Sequence, residues 1–352
     1  MEITAGGRFE VRINPSDVGK RVSVRRLNPE RDGTGTFTDT VGVLTSWNGG
    51  VLVITRRTGE TVHIAESTLV AGKIVPPAPA RRRGPAAGFE ELASVCARAW
   101  QPVESARLGD WELRAAAHDA PGEVPAGGAR ARVGFTRRAN SVLPLGEPGI
   151  PLDDALARVT AWYAERGLPA YVQAATGAAG TQEVLCAQLE ARGWVREVSA
   201  EVRIAALAPI ADRVADVSRV RLSRTADAAW TARYQRSAAP APEVAQVLAA
   251  GPSVWFATVP GEDGTAAIGR CVVDGRWAGF MAVEVDPAAR RQGLATLVMA
   301  ALAGRALAEG ASAAWLQVEA GNAAALGLYD GMGFAPHHAY HHFRGPEAPA
   351  AP

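Results

Sequence analysis

The chain has 352 residues, of which 48% are hydrophobic and 21% charged, and its formal net charge is +1. That length exceeds one ordinary domain and predicts two or three compact units with enough apolar material for a core in each. The near-zero charge excludes a global pull toward nucleic acid or an anionic membrane, and no stretch reaches the roughly 20 apolar residues of a membrane helix.

Residues 8–75 carry short alternating runs at 21–25, 40–45, 51–55 and 61–64, separated by turn residues such as Asn48-Gly49-Gly50 and Thr58-Gly59-Glu60. Closely spaced strands of this kind predict a small antiparallel barrel over residues 1–75, similar in type to a Src-homology-3 barrel. Residues 76–87 read as a proline- and arginine-rich linker that separates the barrel from the rest of the chain. Up to Pro85 there are 13 Lys/Arg against 8 Asp/Glu. No aromatic residues interleave with the arginines, so this excess reads as solvated charge and not as a nucleic-acid surface.

Residues 88–205 open with a helix at 89–98. Strands come next at 111–115 and around 130–135, then a helix at 153–166, a strand at 170–174 and a helix at 182–192 that ends at Gly193-Trp194. Residues 206–346 repeat that order. They predict a helix at 226–238, strands at 253–259 and 267–273 around the turn Gly261-Glu262-Asp263-Gly264, and a strand at 280–285. A helix at 294–309, a strand at 314–318, a helix at 323–331 and a strand around 337–344 complete the unit, and residues 347–352 read as a disordered tail. The two copies form an internal repeat.

The chemistry concentrates in the second copy. Asp286-Pro287 stops the strand at 280–285, and Arg290-Arg291-Gln292-Gly293-Leu294-Ala295-Thr296 turns into the long helix. Backbone N–H groups at such a helix start point outward without intrahelical partners and can bind diphosphate oxygens. Gly293 removes the β-carbon that would stand between backbone and ligand. Downstream, Asn322 opens a helix that carries Tyr329 and ends at Gly333-Phe334. The first stretch resembles motif A of the GNAT superfamily of N-acetyltransferases, Gln/Arg-x-x-Gly-x-Gly/Ala, filled here by Arg290, Gly293 and Ala295. The run Asn322 to Phe334 resembles motif B of the same superfamily. Counted back from Gly193-Trp194, the first copy has Leu189 where the second has Tyr329, and Gln182 where it has Asn322. It also has no Gly-x-Ala turn, so it resembles a degenerate copy, an architecture found in the mycothiol synthase branch. The expected fold class is α/β (α+β): two GNAT-like mixed-sheet units, degenerate at 88–205 and catalytic at 206–346, in tandem after a small all-β barrel.

The resemblance implies an N-acetyltransferase that uses acetyl-CoA as co-substrate and a primary amine, on a small molecule or a protein, as acceptor. It implies that main-chain groups of Val283 and Val285 pair with the pantetheine arm, that the backbone of 291–296 holds the diphosphate beside Arg290 and Arg291, and that Asn322 fixes the pantetheine or the helix. Tyr329, with an ordinary pKa near 10, is the expected general acid for the thiolate. The base stays open between Glu284, Glu319 and a water. Gly279 and Met281 stand where several relatives carry it, and Gln317 replaces a glutamate found in others. Because Cys96, Cys186 and Cys271 fall outside the motifs, no acetyl-enzyme is expected; they read as buried thiols of a cytoplasmic protein. His337, His338, His341 and His342 alternate across a strand without cysteine or carboxylate company, so no metal is expected. Two rival readings are a non-enzymatic acyl-CoA-responsive module and a protein-lysine acetyltransferase guided by the barrel.

Overall fold

The computed structural model describes residues 10–28, 36–76, 84–120, 131–234, 241–262 and 264–346. In chain order its elements begin with β1 (Arg21–Leu27), β2 (Phe37–Asn48), β3 (Val51–Thr55), β4 (Thr61–Ala65), β5 (Leu69–Ile74), α1 (Phe89–Arg98), β6 (Glu104–Leu108), β7 (Trp111–Ala115), β8 (Ala117–Asp119), β9 (Arg132–Gly134) and β10 (Leu143–Pro144). They continue with α2 (Leu152–Ala164), β11 (Tyr171–Thr176), α3 (Glu183–Ala191), β12 (Val195–Ala206), α4 (Ala208–Ala211), β13 (Arg221–Ser223), α5 (Ala228–Arg233), α6 (Pro242–Ala249) and β14 (Ser253–Gly261). The last are β15 (Gly264–Asp274), β16 (Trp277–Val285), α7 (Leu294–Ala308), β17 (Ala313–Glu319), α8 (Ala323–Gly331) and β18 (Ala335–Arg344). The fold is mixed α/β.

The chain divides into two compact units, one of residues 1–80 with 174–194 and the other of 81–173 with 195–352. In the first, five antiparallel strands run in the order β4-β3-β2-β1-β5. Alternation along β1 to β4 sends Val22, Val24, Leu44, Leu52, Ile54 and Ile64 into one core. The β2–β3 hairpin turns through Gly49 and Gly50, both at positive φ. Helix α3, expected inside the first repeat, packs on β2 within this unit. The strands are thus not an isolated module, and the boundary expected at 75 does not separate the contacts. Most of the linker lies outside the described residues, as do 235–240, Asp263 and the tail 347–352.

The second unit is built on an eight-stranded sheet in the order β11-β18-β12-β17-β16-β15-β14-β13, to which β11 contributes its first residues. Helix α7, buried over most of its length, covers one face with Leu294, Leu297, Val298 and Leu302 against Ala267, Cys271 and Phe280. That approach needs Gly269, whose missing β-carbon would lie 2.5 Å from Val298 Cγ1. The expected helix at 226–238 is shorter: α5 spans six residues, capped by Asp227 Oδ1, which accepts from the Trp230 N–H.

The repeat is realised by strand exchange. Strands β12 and β18 begin at Val195 and Ala335, 140 positions apart, the same offset as Gly193 and Gly333. They pair antiparallel with Ala200 opposite Tyr340, Val198 opposite His342 and Val202 opposite His338. Each position therefore faces the partner that a local two-fold through the Ala200–Tyr340 pair assigns to it. β12 also pairs with β17 of the second repeat, Ala200 opposite Glu319. The last strand of the first repeat thus lies inside the sheet of the second, and the contacts of the sheet run across the boundary expected at 205/206. Exchange removes two open sheet edges, which a pair of separate domains would have to protect otherwise.

Candidate active site

The site starts at a parallel pair that comes apart. β16 and β17 pair from Trp277 opposite Ala313 to Phe280 opposite Leu316. Beyond that point β16 follows β15, with Val285 opposite Ala267, while β17 follows β12. Between them residues 281–285 and 317–319 border a gap whose backbone groups need partners. A bulge sharpens the divergence. Ile268 faces Glu284 and Arg270 faces Met281, so Ala282 and Val283 oppose Gly269 alone, and Ala282 sits at φ 52°. A non-glycine residue there carries roughly 1–2 kcal/mol of backbone strain, the kind held at functional sites.

The bulge also sorts side chains. Val283 and Val285 pack with the α7 core, as does Tyr329, whereas Glu284 turns to the face of Ile268, Arg270 and Met281. On β17, Leu316 and Val318 join that core, which places Gln317 and Glu319 on the Glu284 face. Tyr329 and the carboxylates thus flank the gap from opposite sides of the sheet, and the structure does not bring them into contact. Glu284 is half-buried and Glu319 exposed.

After β16 the chain is anchored by Asp286, whose Oδ1 accepts from the Ala288 N–H and whose carboxylate pairs with Arg233. Arg291 and Gly293 then take φ of 65° and 77° and curl the loop into α7. Gly293 is the N-cap, no side chain caps the helix, and its first turn holds no acid. Its leading N–H groups, from Leu294, Ala295 and Thr296, have no intrahelical partner and carry the positive end of the helix dipole. The Leu294 side chain is buried, so only its backbone can serve a ligand. Arg290, Arg291 and Gln292 are exposed, and among the described residues no carboxylate pairs with either arginine.

The corresponding helix of the first repeat, α2, differs in the property that matters. Its N-cap is Pro151 and its first turn holds Asp153 and Asp154, a charge that opposes a phosphate. The loop before it is already filled: Asp110 lies against Gly146 and accepts from the Glu147 N–H, while Trp111 Nε1 donates to the Gly146 carbonyl.

At α8, Asn322 Oδ1 accepts from the Ala325 N–H at 3.1 Å, so its amide fixes the helix start. Two residues before the helix ends, the Tyr329 ring meets Phe334 edge-on with centroids 5.8 Å apart. Burial raises its pKa above the ordinary phenol value, and its hydroxyl makes no hydrogen bond among the described residues. The thiols are buried, and desolvation pushes Cys271 up to about 12 and Cys96 higher still.

The four histidines of β18 divide between faces as a strand requires. His338 packs on Phe89, His341 Nδ1 lies 2.7 Å from Ser199 Oγ, and His342 sits between Tyr171 and Tyr340. Among the described residues no three His, Cys, Asp or Glu side chains gather as a metal site. In sequence the run 134–141 has polar groups enough for substrate binding but, without a motif, reads as a surface strand end; in the structure it is largely spent on the fold, for Asn140 bonds the Ala116 backbone and Ser141 accepts from Arg114. Sequence reasoning missed Trp100, whose Nε1 donates to Gln317 Oε1 at 3.2 Å, and did not single out, within that run, Arg138, which donates to the Tyr340 hydroxyl at 2.8 Å. Neither lies in a motif, and only the tertiary fold carries them to the gap.

Residues 87–343 match the family model described as "Probable histone acetyltransferase Rv0428c C-terminal". Among solved structures, a GCN5-related N-acetyltransferase from Kribbella flavida is similar at 18% identity over 75% of this chain and 98% of that one, with a TM-score of 0.51, a likeness of fold. A tandem GNAT protein from the clavulanic acid biosynthesis pathway is similar at 13% identity over 76% and 92% of the two chains, TM-score 0.49. The ribosomal-protein-S18-alanine N-acetyltransferase from Escherichia coli is 23% identical over 38% of this chain and 96% of its own, TM-score 0.29. No curated protein matches the chain.

Proposed function

The chain belongs to the Rv0428c C-terminal family of GNAT-type acyltransferases, and on that premise we propose that it transfers acetyl from acetyl-CoA to a primary amine by direct attack in a ternary complex. The observation that carries this reading is the pairing of an uncapped, acid-free helix start at Gly293 with the gap between β16 and β17. Acetyl-CoA supplies the activated carbonyl; the chain supplies position and protons. The N–H groups of 294–296 with Arg290 and Arg291 hold the diphosphate, and the edge formed by Val283 and Val285 pairs with the pantetheine arm. Asn322 sets the angle of α8 and so the place of the Tyr329 hydroxyl. Tyr329, kept protonated by its buried setting, returns a proton to the sulfur as the C–S bond breaks. On the other face Glu284, or Glu319 through water, receives the proton that the amine gives up.

The family's description favours a second acceptor class, a histone-like lysine on a protein. Following free thiol release while a panel of small amines and a lysine-rich protein are offered with acetyl-CoA tests both. Release that depends on an amine supports the transferase, and its absence across the panel, with acetyl-CoA shown to bind, favours an acyl-CoA-responsive module instead.

A further inference from the structure

On the Glu284 face of the gap the structure gathers three arginines that no acid pairs directly among the described residues. Arg270, fully buried, bonds the carbonyls of Leu248, Ala250 and Ala99. Arg114, equally buried, bonds the Ser141 carbonyl, Ser141 Oγ and Gln173 Oε1. Arg138 is only half-buried; its Nε donates to the Tyr340 hydroxyl and its guanidinium lies 5.8 Å from the ring centres of both Trp100 and Tyr340. Among the described residues none of the three makes a salt bridge. Beside them His342 is buried to 3% exposure with neither ring nitrogen bonded, its ring 5.5 Å from that of Tyr340. Buried guanidinium groups with no directly paired acid are costly, and an arriving anion lowers that cost.

Position gives the charge a use. Trp100 bonds Gln317, the first residue of β17 beyond the last pair with β16, so the indole under Arg138 sits at the mouth of the gap. Glu319 and Tyr340 both face Ala200, which puts them two strand spacings apart, about 10 Å. A carboxylate at the gap and a guanidinium fork held at the Tyr340 hydroxyl, two strands away, complement a molecule that carries an amine and an acid together.

Resting on the transferase reading, we propose that Arg138, framed by Trp100 and Tyr340, binds a carboxylate of the acceptor, so that the preferred acceptor is an amino acid or an amine beside an acidic side chain. The fork of Arg138 receives the carboxylate, and the amine is left directed to the gap between Gln317 and Glu319. In this arrangement the first repeat, having lost the means to hold a phosphate, supplies acceptor recognition to the second.

The test uses the full chain and matched probes: ω-amino acids from glycine to 6-aminohexanoate, each with its carboxamide, and lysine peptides with glutamate or glutamine next to the lysine. Thiol release should favour a carboxylate over its amide by at least tenfold in kcat/KM. Arg138→Gln should bring that ratio to within twofold, mainly through KM, with acetyl-CoA affinity unchanged; Arg138→Lys, which keeps the charge and loses the fork, should fall between. The amino-acid and peptide arms tell which molecule carries the acid. Should Arg138→Gln fail to fold, Tyr340→Phe, which frees the guanidinium, should erode the same preference. If no probe turns over, calorimetric titration of the same pairs into CoA-saturated protein reads the preference directly. Equal handling of acid and amide by the wild type in both assays, or a preference that survives Arg138→Gln, overturns the proposal. Loss of acetyl-CoA binding itself would strike the transferase reading, and is measured separately.

Discussion

Tyr329 shows how a residue acquires a role from its surroundings. A phenol on a helix is most often packing, and part of this ring does pack, on Phe334. Yet its hydroxyl is left without an internal partner while desolvation holds the proton on. Tyr329→Phe keeps the packing and removes the proton, so it should lower kcat by roughly 10²-fold with little change in acetyl-CoA affinity. An unchanged kcat in a thiol-release assay would take Tyr329 out of the mechanism. Motif residues of this kind were legible because the chemistry fixes their spacing. Trp100 was not, and Arg138 stood out only as one polar residue of the run 134–141, since nothing local distinguishes an arginine that will meet a tryptophan 38 positions away from one that faces solvent.

Elements were legible where one period dominates. The α1, β7 and α8 boundaries agree with the pattern of apolar residues, and α7 needed only its apolar run and glycine start. What the pattern could not carry is partnership. No element is read from the sequence where β12 lies, and its place between β17 and β18 comes from closing two sheet edges at once. The bulge at Ala282 is equally silent in sequence, because it is a mismatch of register between two strands. The exchanged strand β18 makes its own prediction. Burial pushes His338 and His341 down to about 3 and His342 well below its ordinary value, with Arg196 beside His341 and Arg138 and Arg114 beside His342 adding to it. The native state therefore refuses protons that the unfolded chain accepts below about pH 6.5. Stability should be level above that pH and fall as pH drops from about 6.5 toward 3, by up to about 1.4 kcal/mol per unit for each such histidine. Thermal melts between pH 7.5 and 5 check this, and His341→Asn should flatten part of the slope; an equally steep slope in the variant would contradict it.

At the scale of the whole molecule the chain is a duplication whose halves have diverged in charge. One helix start offers bare N–H groups and two arginines; its counterpart offers a proline, two aspartates and a loop filled by Asp110. The duplication was visible in the 140-residue offset, while the sharing of strands and the union of α3 with the N-terminal sheet were not, being long-range contacts that no local pattern encodes. Two repeats with one competent helix start should hold one nucleotide. Isothermal titration of acetyl-CoA into the full chain should give a stoichiometry of one per chain, and Gly293→Trp, which sets a bulky side chain in the open space before α7 at a φ of +77°, should abolish the heat while lowering the melting transition by only the few degrees that about 1–2 kcal/mol of backbone strain costs. Two equivalents bound, or titration unchanged in Gly293→Trp, would contradict the account.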